Sequence, residues 1–230
     1  MLERMQRYSG IIFDLDGTLI DSNDAHARAW VAALEDGGFH HSFEEVRPLI
    51  GMGGDQLLAR LEGISKRDPR YKALSEGWKK HFEAEELHKL EGQPGARELV
   101  LELKKRGFKL VVGTSSDESL VQKLLEIAGV ADLLEQRATT SDVEASKPEP
   151  DIVRAALEKL RLEPADVLMV GDTPFDVQAA EKAGVGTVFL RCGGFERSEG
   201  AVAVYDSPRD LLEHLDESPL RTLLEGEKVG

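Results

Sequence analysis

Apolar residues fall in two distinct patterns along this chain. Gly10-Ile11-Ile12-Phe13, Lys109-Leu110-Val111-Val112-Gly113, Val167-Leu168-Met169-Val170 and Thr187-Val188-Phe189-Leu190 are short, nearly continuous apolar runs, as expected of strands buried on both faces. Helical spacing follows in residues 96–106, in residues 116–128 up to Gly129, in residues 152–160, and in residues 174–183 up to Gly184. Strands alternating with helices predict βαβ units, and therefore an α/β fold built on a doubly wound parallel sheet.

Residues 21–90 break this alternation. Ala25, Ala29, Ala32 and Ala33 with Trp30 and Leu34 recur at helical spacing until Gly37-Gly38, and further helical segments are predicted over residues 42–49, 55–61 and 69–87. None is followed by a strand. The pattern predicts a separate helical bundle, residues 21–90, inserted into an α/β core made of residues 1–20 and 91–230. The polar, glycine-ended tail from Glu217 is expected to fray.

Composition narrows the ligand. With 230 residues and 41% hydrophobic content the chain can bury a real core. Its 29 Lys and Arg against 43 Asp and Glu give a formal charge of −14, which disfavours a nucleic acid or an anionic membrane as the main partner. A single small phosphate is not excluded. Cys192 is the sole cysteine, so no intrachain disulfide forms and the residue reads as a packing or loop position. Residues 1–7 carry no apolar signal core, and no run approaches the ~18 apolar residues of a membrane span. A cytoplasmic protein, monomeric or weakly dimeric, is expected.

The candidate chemistry lies where the strands end. Asp14 and Asp16 follow Gly10-Ile11-Ile12-Phe13 directly, at the carboxyl edge where open α/β sheets bind ligands. Two carboxylates repel by about 1 kcal/mol at ~4 Å in water and about 4 kcal/mol at an effective dielectric near 20, so their pairing invites a cation. Hard oxygen donors suit Mg2+. Asp-x-Asp-Gly is also a common solvated turn. The second run ends in Thr114-Ser115-Ser116 at the start of a helix, an anion-binding arrangement in which Ser115 or Ser116 also serves as cap and Glu118 completes a capping box. Lys147 sits in Ser146-Lys147-Pro148-Glu149-Pro150-Asp151, where prolines stiffen the turn. Gly171-Asp172-Thr173-Pro174-Phe175-Asp176 follows the third run. Thr173 as cap and Pro174 at the first helical position account for Asp176 without a metal, but not for Asp172.

Asp14-Leu15-Asp16-Gly17-Thr18-Leu19-Ile20-Asp21-Ser22 resembles the first signature of the haloacid dehalogenase superfamily of phosphatases and phosphotransferases. Thr114 after a buried strand, Lys147-Pro148-Glu149-Pro150-Asp151, and Gly171-Asp172 with Asp176 resemble its second, third and fourth signatures, in order. The resemblance covers the core from Phe13 to Gly184 and implies a Rossmann-like core with a small helical cap in residues 21–90. It implies Asp14 as nucleophile and Asp16 as acid and base. Mg2+ would be held by Asp14, the Asp16 carbonyl and Asp172, with Asp176 a further, water-mediated carboxylate. Thr114, Ser115 and Lys147 would hold the phosphoryl group, and Thr18 would fix the loop that carries Asp16. In the cap, Arg47, His26 and Lys79 are candidates for substrate contact, His26 and Trp30 reading equally as a packed helix face. The expected substrate is a small phosphorylated metabolite of the phosphoglycolate or sugar-phosphate kind.

Three rivals stand beside a phosphatase. A phosphoacceptor switch shares the edge aspartate, the acids, the hydroxyl and the lysine, but lacks the acid at Asp16 and the helical insertion. A metal-independent dehalogenase would not need Asp16. A β-phosphoglucomutase-like enzyme shares Asp16, His26 and Trp30, but needs a fixed cation in the loop Gly51-Met52-Gly53-Gly54-Asp55, where Gly54 takes the position of the mutase arginine.

Overall fold

The computed structural model describes residues 8–221. Residues 1–7, expected to carry no apolar signal core, and residues 222–230, most of the tail expected to fray, lie outside them. In chain order the elements are β1 Gly10–Phe13, α1 Asn23–Asp36, α2 Phe43–Val46, α3 Gly54–Glu62, α4 Pro69–His81, α5 Ala96–Lys105, β2 Lys109–Gly113, α6 Glu118–Ile127 and β3 Arg137–Ala138. They continue with α7 Asp151–Leu160, β4 Val167–Gly171, α8 Pro174–Lys182, β5 Gly186–Leu190, β6 Ala203–Tyr205 and α9 Pro208–Glu213.

The strands form one sheet in the order β3-β2-β1-β4-β5-β6, every pairing parallel. Alternation along β1 decides the packing: Ile11 and Phe13 join one core, which includes Leu99, Leu103, Val121 and Leu124 of α5 and α6, while Ile12 joins the other, with Ile152, Val153, Ala179 and Ala180 of α7 and α8. Each of the fully buried Ile, Leu, Val and Phe side chains among these contributes about 1.5–3 kcal/mol of burial. β1 is central, with Phe13 in register with Val112 of β2 and Val170 of β4. The chain leaves β1 toward β2 on one side and returns to β4 on the other, so the switch point of the sheet lies at the end of β1.

Helices α1 to α4 intervene between β1 and α5. Their core is aromatic: Trp30 of α1 stacks on Trp78 of α4 with ring centroids 5.5 Å apart, and Phe82 stacks on His26 at 4.3 Å. The expected helix over residues 69–87 is broken. It remains α-helical to His81, passes through a π-turn at Phe82–Glu86 and ends in a 3-10 turn. The wider turn sets Phe82 against His26 while buried Glu86 meets Arg28 at 2.7 Å.

Other differences have similar causes. β3 and β6 escape sequence reading because they span 2 and 3 residues and owe their extended form to pairing with β2 and β5. The tail does not fray at Glu217, because Ser218 and Leu220 are buried and Ser218 Oγ donates to Leu215 O at 2.8 Å. Helix α6 starts at Glu118 with Asp117, not Ser115 or Ser116, as its cap, accepting from Ser119 N. Ser116 is drawn away by Asp16, whose carboxylate accepts its hydroxyl at 2.5 Å. Among the described residues no helix is long and apolar enough to cross a membrane.

Candidate active site

The ends of β1, β2 and β4 lie side by side, and the local backbone aims their polar successors at one point. Asp14 N donates to Val170 O at 2.8 Å, continuing the β1–β4 ladder, while Thr114 N donates to Ala138 O at 3.0 Å beyond β2. After Asp16 the chain turns sharply at Gly17, whose φ is +80°. A Cβ there would run into the side chains of Asn23 and Asp172, so glycine is required both by the dihedral and by the space.

Carboxylate oxygens of Asp14, Asp172 and Asp176 lie within 4.8 Å of one another, all buried. Lys147 reaches into this group, its Nζ 2.5 Å from Asp14 Oδ1 and 2.8 Å from Asp176 Oδ1. Asp172 is fixed on both oxygens, accepting Thr18 Oγ1 and Asn23 Nδ2 at 2.8 Å each. Asp176 Oδ2 accepts Thr173 N at 3.0 Å and Thr173 Oγ1 at 2.7 Å, the capping box of α8. Three ionised carboxylates against one ammonium would leave two buried negative charges, and the donors are all hard oxygens. That is the charge and chemistry a divalent cation such as Mg2+ fits.

Asp16 stands apart from this cluster. Its Oδ1 meets His26 Nε2 and Ser22 Oγ, both at 2.7 Å, and its Oδ2 meets Ser116 Oγ. Burial pulls its pKa up, but the neighbouring His26 and the hydrogen bonds from His26, Ser116 and Ser22 outweigh it and hold the carboxyl at about 2. The opposite holds across the site. Burial, opposed by Lys147 and reinforced by the other acids, raises Asp14 well above the usual carboxylate range. Burial and Asp176 push Asp172 up to about 7 against the hydrogen bonds from Thr18 and Asn23. Lys147 is buried, which disfavours its charge, yet Asp14 and Asp176 raise its pKa and keep the ammonium form.

A cavity of about 630 Å³ is lined by Asp14, Asp16, Thr114 and Ser115 from the sheet edge and by Trp30 and Trp78 from the inserted helices. Thr114 Oγ1 accepts Ser116 N at 3.0 Å. Ser115 Oγ is buried without a hydrogen-bond partner. His26 and Lys79 also line the cavity, but His26 is spent on Asp16, and Lys79 donates to Ser119 Oγ at 2.5 Å and lies 3.7 Å from Asp117. Arg47 is not brought here. Its Nε donates to Asp24 at 2.5 Å and its Nη2 to Gly193 O at 2.6 Å, with the guanidinium over the Phe195 ring.

The structure thus gathers Asp14, Asp16, Thr18, Thr114, Ser115, Lys147, Asp172, Asp176 and His26, and directs Arg47 elsewhere. Sequence reading misses Asn23, which grips Asp172, and reads Ser116, which grips Asp16, as a possible helix cap. Ser22 stands inside the first signature as a visible hydroxyl. Nothing local marks Asn23, whose partner lies 149 residues away. Cys192, as expected of a packing residue, turns its Sγ to Gly17 O at 3.2 Å, and burial pushes its thiol up to about 12.

Comparison with known proteins gives a consistent picture. The sequence model of haloacid dehalogenase-like hydrolases matches residues 11–190. The chain is 32% identical over 222 residues to a phosphoglycolate phosphatase of Cereibacter sphaeroides, covering 94% of this chain and 99% of that protein. It is 32% identical over 190 residues to the pyrophosphatase PpaX of Bacillus velezensis, covering 79% and 82%. The crystal structure of a hydrolase from Pseudomonas syringae superposes with a TM-score of 0.84 at 33% identity, over 91% of this chain and 98% of that one.

Proposed function

From the premise that this chain belongs to the haloacid dehalogenase-like hydrolase family and is a hydrolase of phosphate esters, we propose that it is a Mg2+-dependent phosphatase of small phosphate monoesters, working through an aspartyl-phosphate on Asp14. The observation that carries this reading is the pairing of buried Asp14 with Lys147 at 2.5 Å, beside a second acid two residues on.

Asp14 attacks phosphorus in line and the bond to the ester oxygen breaks. Lys147, Thr114 and Ser115 hold the phosphoryl oxygens, with the ammonium offsetting the charge that builds in the transition state. Asp14, the Asp16 carbonyl and Asp172 would hold Mg2+, with Asp176 acting through water; when bound, the ion neutralises the acid cluster and polarises the phosphoryl group. Asp16 protonates the departing alkoxide and then takes a proton from the water that cleaves the acyl-phosphate. A carboxyl held at about 2 by its three donors is the base form. Its acid form therefore requires that one of these donors give way as the ester oxygen enters.

The helices of residues 21–90 act as the cap that closes this end of the sheet. Gly54 supports hydrolysis over a mutase reaction: it offers no cation to grip a second phosphate, and a Cβ there would meet the Trp30 ring at 2.7 Å, so an arginine would need that packed ring to shift. Asp16 speaks against metal-independent dehalogenation. The test is phosphate release from a panel of monoesters with Mg2+, with a chelator and with excess Ca2+. Activity with Mg2+ alone is expected, since looser Ca2+ coordination spoils the in-line geometry; release that survives chelation overturns the reading.

A further inference from the structure

The run Gly51-Met52-Gly53-Gly54-Asp55, which leads into α3, takes no part in the chemistry above, yet it lies against two of the loops that supply it. Gly51 packs on Thr173, the residue that caps α8 and binds Asp176, and a Cβ at Gly51 would come within 2.5 Å of the threonine side chain. Gly53 packs on Ser146, where a Cβ would come within 2.3 Å of the hydroxyl oxygen. The backbone of Gly53 is ordinary, with φ −70° and ψ 161°, so the close approach and not the dihedral calls for glycine there. These missing side chains let the inserted segment settle directly on the residue before Lys147.

Asp55 fastens the contact. It is 8% exposed, and its carboxylate accepts Ser146 N at 3.3 Å and lies 3.5 Å from Lys66, whose Nζ donates to Glu144 O at 2.5 Å. The loop that carries Lys147 is thus held at two backbone atoms by the inserted segment. The core holds it at two more, where Asp151 accepts Ala145 N at 3.3 Å and Lys182 donates to Pro148 O at 2.9 Å. Ser146 is fully buried, so its N–H relies on Asp55 for an acceptor. Ion pairing alone does not anchor Lys147 through the reaction. Its partner Asp14 turns to phosphorus while the ammonium has to remain on the phosphoryl oxygens, and the backbone anchors then decide where it stands.

Resting on the phosphatase reading, we propose that Asp55 is a positioning residue: by binding Ser146 N it seats the inserted segment on the Lys147 loop and holds the ammonium where the transition state needs it. Lys147 offsets charge that builds after the ester is bound, so a displaced ammonium lowers kcat more than it raises KM. The test is kcat and KM of the Mg2+-loaded full chain on 4-nitrophenyl phosphate and on the best monoester of the panel. In Asp55→Leu, which keeps the shape and removes the acceptor, kcat should fall about tenfold or more while KM changes by less than about threefold. The loss should be the same on both esters, because Lys147 meets the phosphoryl group they share. Asp55→Asn, which keeps an acceptor oxygen for Ser146 N, should return kcat to within about threefold of the wild type. Gly53→Ala, whose methyl group presses on Ser146, should repeat the loss of kcat, and it reads the same split if Asp55→Leu does not fold. Wild-type kcat in Asp55→Leu, a loss confined to KM or to one ester, or an Asp55→Asn as slow as Asp55→Leu overturns this proposal alone; a wild-type chain that hydrolyses no ester overturns the phosphatase reading with it.

Discussion

His26 Nε2 meets Asp16 Oδ1 at 2.7 Å while its ring lies flat on Phe82, 4° from parallel. A side chain from the inserted helices thus sets the protonation of an acid on the sheet edge. His26→Ala should raise the Asp16 pKa from about 2, moving upward the acid limb of the kcat pH profile, where hydrolysis of the acyl-phosphate needs Asp16 as base. The fall in kcat/KM should be about tenfold or more, a part of the ~10²–10⁴-fold that a general acid–base group contributes. A pH–rate profile checks both.

Asp16 also makes the fold sensitive to acid. Its folded pKa, about 2, lies below the ordinary value of 3.8, so its stabilisation is fully present above 3.8 and is lost as pH falls through about 2. The gap corresponds to about 2 kcal/mol. Urea denaturation of the metal-free protein from about pH 5 downward should show this loss, and Asp16→Asn should lack its share of the slope.

Lys147 is the cation that lets three acids coexist without metal. Removing one partner of a buried ion pair costs about 3–5 kcal/mol. Metal-free Lys147→Met should unfold at correspondingly lower denaturant, and Mg2+ should restore part of the loss by neutralising Asp14 and Asp172. Denaturation curves with and without Mg2+ decide it.

Cys192 should be inert. With its thiol at about 12 and its Sγ turned to Gly17 O, almost no thiolate exists near pH 8. Labelling by a disulfide reagent should be slow in the native protein and fast in denaturant.

Those local strings in which a strand delivers its polar residue directly were legible in the sequence: Asp14 after Phe13, Thr114 after Gly113, Asp172 after Gly171. Thr173-Pro174 and Asp176 were equally readable as a helix start, because all three parts of a capping box lie within four positions. What escaped depends on distance along the chain. Asn23 finds Asp172, and Ser116 finds Asp16, only once the sheet has assembled. Arg47 looked aimed at a ligand from its flexible neighbourhood, but Asp24 and the Gly193 carbonyl capture it, contacts no local pattern encodes.

The central claim is a covalent phosphate on Asp14. Acid quenching during turnover with Mg2+, followed by borohydride reduction and peptide mass analysis, should convert Asp14 to homoserine in the wild type. Asp14→Asn, folded by circular dichroism, should give neither homoserine nor phosphate. Steady turnover with no reducible adduct at Asp14, or phosphate release by the Asp14→Asn variant, would contradict the account.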